Sequence, residues 1–146
     1  MESNLAIKIN RWSVCEGASI EAENKIDSAI KVWEHMPEAR AWLKEHFIVL
    51  GLSARSMLIM EETISIGTLT ASLIHPRELF RPLVAFPCAA FIAVHNHPSG
   101  DPSPSPEDRQ STERLRKAAE IMGIPMLDHV IISKDRFFSF RDSGLL

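Results

Sequence analysis

His95 and His97 stand two residues apart at the end of an apolar run, Ala89-Ala90-Phe91-Ile92-Ala93-Val94. Alternate side chains of a strand share a face. Both imidazoles can therefore reach one cation, at about 2.0–2.1 Å for zinc. A catalytic zinc takes three protein ligands and keeps a fourth position open for water. Asp108, in the first turn of the next helix, could be carried back to the histidines by the proline-rich loop before it. The resulting His, His, Asp set of borderline and hard donors suits Zn²⁺. Plainer readings stand beside this one. A strand-end histidine pair can simply face solvent or be hydrogen-bonded, and Ser105-Pro106-Glu107-Asp108 is also a helix N-terminus, with serine at the N-cap, proline at N1 and an acid at N3. The two roles are compatible, because a capping serine and acid are already rigidly held.

The elements around these residues follow from patterning. Residues 89–94 read as a buried strand. Residues 98–106 hold four prolines among Ser, Gly and Asp, too stiff and polar for a regular element. Residues 107–122 form a helix with Leu115, Ala118, Ala119, Ile121 and Met122 as its apolar stripe, acids in its first turn and bases in its second half. Gly123 is its stop. Residues 130–133 and 137–140 flank Lys134-Asp135-Arg136 as a hairpin. Upstream, residues 47–52 are apolar on both faces and read as a central strand. A turn at 53–56 leads to a strand at 57–60, which residues 63–66 extend or follow, closing at Gly67. Pro76 opens a helix that Pro82 should limit or kink. From Ile20, Ala22, Ile26, Ala29, Ile30 and Trp33 recur at helical spacing. Pro37 ends that helix and a shorter one follows at 38–44. Leu5, Ile7 and Ile9 alternate as an edge strand or a loose arm. The order predicts an α/β fold, a mixed or largely antiparallel sheet packed against helices.

Composition sets the outer bounds. The chain has 146 residues, 16 Lys+Arg against 19 Asp+Glu, and 45% hydrophobic residues. That suits one compact domain and excludes disorder. The longest apolar stretch, 83–94, falls far short of the roughly 20 residues of a membrane span. MESNLAIKIN has an early acid and no apolar core of a secretory signal. Cys15 and Cys88 make neither a disulfide framework nor a CxxC pair, and Cys88 reads as a small packing residue. A cytoplasmic protein without membrane attachment is expected. A formal charge of −3 disfavours broad binding to a phosphate backbone without removing the chance of a local basic patch.

The run His95-x-His97, seven residues, Ser105, two residues, Asp108 matches the H-x-H-x7-S-x2-D signature of the JAMM (MPN-type) metallopeptidases. The string from His95 to Ser105, HNHPSGDPSPS, resembles the RadC branch of that superfamily almost residue for residue. Glu45-His46-Phe47, Ser65-Ile66-Gly67-Thr68-Leu69, His75-Pro76-Arg77-Glu78 and Leu127-Asp128-His129 are similar to further RadC blocks, in order. The resemblance covers residues 20–146 as a RadC-like JAMM (MPN) domain and leaves 1–19 as an N-terminal extension.

The resemblance implies an MPN/cytidine-deaminase-like α/β sandwich with Zn²⁺ at the tip of the central sheet. His95, His97 and Asp108 match its metal ligands. Ser105 matches the serine that holds the oxyanion. Glu45, just ahead of the first core strand, matches the acid that takes a proton from zinc-bound water and returns it to the leaving amine. Glu61 and Glu62 compete for that role but read as solvent-exposed turn residues. The activity implied is cleavage of a peptide or isopeptide amide bond in a protein or peptide substrate. Two alternatives are a non-catalytic MPN-type binding module and a DNA-repair or DNA-processing accessory protein. The complete set of polar positions weighs against the first. The second would call for carboxylate-rich Mg²⁺ sites and a basic groove. RadC proteins commonly carry a helix-hairpin-helix segment before this domain, and residues 1–20 do not encode one. His129 could face the site or be a hydrogen-bonded strand histidine. His35, His46 and His75 read as structural, and Trp12, Trp33 and Trp42 as packing anchors.

Overall fold

The computed structural model describes residues 24–67 and 74–146, together with the backbone of two short strands, β1 (Ile7–Ile9) and β2 (Trp12–Val14). The remaining elements are α1 (Ala29–His35), a 3₁₀ turn at Ala39–Ala41, β3 (His46–Leu52), β4 (Leu58–Ile66), α2 (Pro76–Ala85), β5 (Ala90–Asn96), α3 (Pro106–Met122), β6 (Met126–Ile132) and β7 (Phe137–Ser139). The strands form one sheet in the order β1-β2-β4-β3-β5-β6-β7. All neighbours are antiparallel except β5 and β6, which α3 joins as a parallel crossover. The sheet is mixed and the class is α/β, as expected.

Period-two alternation divides the core between the two faces of the sheet. Ile48, Leu50, Leu52, Ile92, Val94, Val130 and Ile132 pack with Ala29, Val32 and Met36 of the α1 region. Phe47, Val49, Phe91 and Ala93 pack with Leu79, Phe80 and Leu83 of α2 and with Leu115 and Ala119 of α3. The central strands must therefore be apolar on both faces, which is why β3 and β5 read as continuous hydrophobic runs. Gly51 permits a close approach on β3. A Cβ there would fall 2.5 Å from Cys88 Sγ and 2.7 Å from Met60 Sδ.

Several elements differ from the pattern reading. The first helix begins at Ala29, not near Ile20; Ser28 is still extended. Asn24 and Ile26 instead bond to the β3–β4 region, through Leu58 N to Asn24 O at 2.9 Å and Ile26 N to Ser56 O at 2.8 Å. Ile26 buries its side chain equally well from extended backbone, so its spacing to Ala29 and Trp33 was no guide to helix. Residues 20–23 lie outside the described residues, as do Leu5 and Cys15. The helix expected at 38–44 is only the 3₁₀ turn. Residues 63–66 extend the strand before them, one of the two readings the sequence allowed, into β4 (Leu58–Ile66), which has two register irregularities against β3; Met57 stays outside it, in a bridge to Lys25. Pro82 does not end α2, which runs on to Ala85 and closes with Phe86 N on Pro82 O. Burial of Pro82 beside Leu79 and Leu83 offsets the one backbone bond it forfeits. The helix α3 and its left-handed stop at Gly123 (φ 67°) stand where expected, and β6 and β7 pair as the expected hairpin, although β6 begins at Met126, four residues before the expected start.

Glu61 and Glu62 are not turn residues. Both lie within β4, where Glu62 is buried and Glu61 pairs with His35 Nε2 at 2.9 Å. Whether an acid inside a strand is exposed depends on what covers that strand, and here β3 and β2 flank it.

Candidate metal centre

β5 carries its apolar residues straight into His95, which is 2% exposed. Alternation sets His95 on the face of Phe91 and Ala93, toward α3. His97, one residue beyond the strand, is fixed by its amide on Ile132 O at 2.8 Å. The loop then turns back on itself. Gly100 takes φ 89° and donates its amide to His97 O at 3.2 Å. Asp101 Oδ1 accepts from Ser103 N at 3.0 Å and from its hydroxyl at 2.7 Å. These short-range bonds deliver Ser105 as the N-cap of α3.

The α3 start is a full capping box, as its sequence suggested. Ser105 Oγ accepts from Asp108 N at 3.1 Å, while Asp108 Oδ2 accepts from Ser105 N at 2.7 Å and from its hydroxyl at 2.8 Å. The same buried carboxylate reaches both histidines. Its Oδ1 lies 3.0 Å from His95 Nδ1 and its Oδ2 lies 3.4 Å from His97 Nε2. Burial pushes the Asp108 carboxyl up, but the bonds from His95, His97 and the Ser105 amide outweigh it and hold the group far below the usual carboxylate range. His97 shows the complementary balance. Burial pulls its ring down, yet Asp108 and the Asp101 carbonyl leave it above its ordinary value.

Hydrogen accounting fixes the tautomers. Asp108 Oδ1 and Asp101 O can only accept, so His95 Nδ1 and His97 Nδ1 (2.8 Å from Asp101 O) must donate. The neutral His95 ring is left with a bare lone pair on Nε2, and His97 has one only when its Nε2 gives up the proton it donates to Asp108. That of His95 is buried with no hydrogen-bond partner among the described residues, and lies 3.9 Å from Glu45 Oε2. That of His97 faces the Asp108 oxygen at 3.4 Å, an apposition of two acceptors that a proton or a cation relieves. Donor atoms of Glu45, His95 and His97 all lie within 4.8 Å of one another. Imidazole nitrogens whose opposite N–H groups are tied to a carboxylate and a carbonyl are the usual form of metal-binding histidines. With tetrahedral bonds of about 2.1 Å, ligand atoms lie roughly 3.4 Å apart; the His97–Asp108 pair has that spacing, while Asp108 meets His95 at Nδ1, on the ring edge away from Nε2.

The structure thus brings together all five residues singled out in the sequence: Glu45, His95, His97, Ser105 and Asp108. It keeps the other histidines apart from them, with one exception by a single step. His35 pairs with Glu61, His46 lies against Trp42 at 4.0 Å between ring centroids, and His75 precedes α2. His129 is fully buried and stacked on Phe140. Thr112 gives its hydroxyl hydrogen to Asp108 O at 2.7 Å, so His129 Nδ1 donates to Thr112 Oγ1 at 2.6 Å. Thr112 and this link were not foreseen from the sequence. A buried threonine four residues after a helix N3 acid was the available signal.

Burial, helped by the nearby His95, pushes the His129 ring down to about 3 from an ordinary 6.5. Below pH 6.5 the unfolded chain then binds a proton that the folded chain refuses. Stability should fall as pH drops from about 6.5 to about 3, by up to about 1.4 kcal/mol per pH unit from this group. In His129→Phe, which keeps a ring against Phe140, urea titrations across that window will show a slope shallower by one proton.

An open cleft of about 520 Å³ lies beside the centre, lined by Leu43, Lys44, Glu45, Ile66, Gly67, Pro98 and Ser99. Leu43 and Ile66 are strongly exposed there.

An α/β sandwich with two strand-end histidines, a helix-capping aspartate and a glutamate at the mouth of a cleft defines a candidate metal-centre domain of the JAB/MPN type. Comparison with known proteins gives the family. The model of the RadC-like JAB domain matches residues 24–145, and the chain belongs to that family. It is 46% identical over 122 residues to a UPF0758 protein of Thermotoga maritima, covering 84% of this chain and 55% of the relative. A UPF0758 protein of Chlorobaculum tepidum is 48% identical over 126 residues, covering 84% and 55%. One of Methanosarcina mazei is 45% identical over 127 residues, covering 86% and 56%. The chain spans about half the length of the curated relatives it matches. No helix among the described residues is long and apolar enough to cross a membrane.

Proposed function

We propose that this chain is a zinc-dependent hydrolase of the RadC/JAMM type that cleaves a peptide or isopeptide amide bond. The observation that carries the reading is the buried His95 Nε2, without a hydrogen-bond partner among the described residues, gathered with donor atoms of His97 and Glu45 within 4.8 Å, while Asp108 contacts both rings. His95, His97 and Asp108 are the proposed ligands, and Asp108 would take that place by giving up its bond to His95 Nδ1 as the His95 ring turns over. Zinc bound there supplies Lewis acidity and lowers the pKa of a coordinated water to about 7.

The chain's own groups do the rest. Glu45, partly exposed and at the cleft, takes up a proton and returns it to the leaving amine. Ser105 turns its hydroxyl hydrogen from Asp108 Oδ2 toward the developing oxyanion. Leu43 and Ile66 flank an extended peptide segment with an apolar side chain near the scissile bond. We place the reaction in the cytoplasm, on a peptide or protein substrate. Nucleic acid is not the proposed partner.

The direct test is a library of peptide and isopeptide amides incubated with zinc-loaded protein, scored by new amino termini. Cleavage should stop on chelation and return with added Zn²⁺. Zinc-loaded protein that cuts nothing in such a library, or cutting that survives chelation, would contradict the reading.

A further inference from the structure

Asn96, between the two histidines, is 1% exposed, and its side chain leaves the β5 ladder sideways. The β3–β5 pairing ends at Phe47↔His95. Beyond it, Asn96 takes the place of the next rung. Its Oδ1 accepts from His46 N at 2.6 Å and its Nδ2 donates to Lys44 O at 3.0 Å. These two groups belong to the peptide bonds on either side of the Glu45 Cα. From the β4 side, Gly67 N donates to Glu45 O at 2.8 Å. Glu45 therefore sits at a strand entrance that would otherwise fray, pinned on one side by a single amide side chain.

From this geometry we infer that Asn96 is a positioning residue for Glu45, tying the acid's backbone to the strand that carries both candidate ligand histidines. The inference rests on the function proposed above. The amide is required in both senses, since one end must donate to a carbonyl and the other must accept from an N–H. Aspartate would turn an acceptor toward Lys44 O, and serine is too short to bridge both peptides. The three residues His95-Asn96-His97 thus send two rings to one face and the clamp to the neighbouring strand.

The test uses Co²⁺ alone as probe and follows the pH midpoint of its visible absorption bands. Glu45→Gln should move that midpoint by about one pH unit, a tenfold change in the underlying equilibrium. Asn96→Asp and the uncharged Asn96→Ser should both move it in the same direction. In the Asn96→Ser/Glu45→Gln double variant, which adds no charge, the midpoint should equal that of Glu45→Gln alone, because a misplaced acid cannot be misplaced further once it is gone. A wild-type midpoint in Asn96→Ser, a shift in Asn96→Asp only, or an added shift in that double variant would overturn the inference. Wild-type protein that does not take up Co²⁺, or an unmoved midpoint in Glu45→Gln, would instead overturn the parent reading. If Asn96→Asp does not fold, Asn96→Ser carries the test.

Discussion

Glu45→Gln should lower the proposed amide hydrolysis by about 10²–10⁴-fold, the usual worth of a positioned proton carrier, while the proposed zinc stays bound near one per chain. The side chain approaches His95 Nε2 at 3.9 Å and opens to the cleft on its other side. It can therefore meet both the reacting centre and a leaving group. Glutamine keeps the shape and one hydrogen-bonding oxygen but cannot take up the proton. KM should change little, since the loss falls on the transition state. The same variant separates two geometries that the structure holds together. Glu45, His95 and His97 form a compact donor trio, while Asp108 contacts both rings. If Glu45 were itself a ligand, Glu45→Gln would release the metal along with the activity.

Asp108→Ala should have the larger structural effect. It removes the acceptor of the His95 N–H, of the Ser105 amide and of the Ser105 hydroxyl at once. Loss of a capping interaction costs about 1 kcal/mol, and each buried donor left unsatisfied adds about 1–3 kcal/mol. Zinc affinity should fall by more than the roughly 10–100-fold typical of a lost outer partner. Thermal denaturation and a zinc titration on the same preparation will read both losses. Asp108→Asn should recover part of the stability through its remaining carbonyl oxygen without recovering the affinity.

The fold was legible where local signals agree with packing. β3 and β5 announced themselves as unbroken apolar runs because helices cover both faces of the sheet. α3 was bounded by Ser105-Pro106 at one end and Gly123 at the other, each tied to a local backbone requirement. α1 was overextended because Ile26 satisfies helical spacing while buried from a bridge between Lys25 and Met57. Glu62 was misplaced because its burial is decided by strand order, a property of the whole sheet.

At the candidate site, the residue set was legible through the signature and its resemblance, and the geometry was not. Spacing alone could not tell that one carboxylate would cap α3 and touch both imidazoles. It also gave no hint of Asn96, whose partners lie 50 and 52 residues earlier in the chain. Contacts of that range depend on β3 lying beside β5, which no local pattern encodes.

Metal analysis by mass spectrometry on protein dialysed against a zinc buffer weighs the assignment of the centre most directly, with wild type beside the His95→Ala/His97→Ala double variant. Wild type should hold about one zinc per chain, and the double variant almost none while keeping its far-ultraviolet spectrum. Stoichiometric zinc in the folded double variant would place the metal elsewhere.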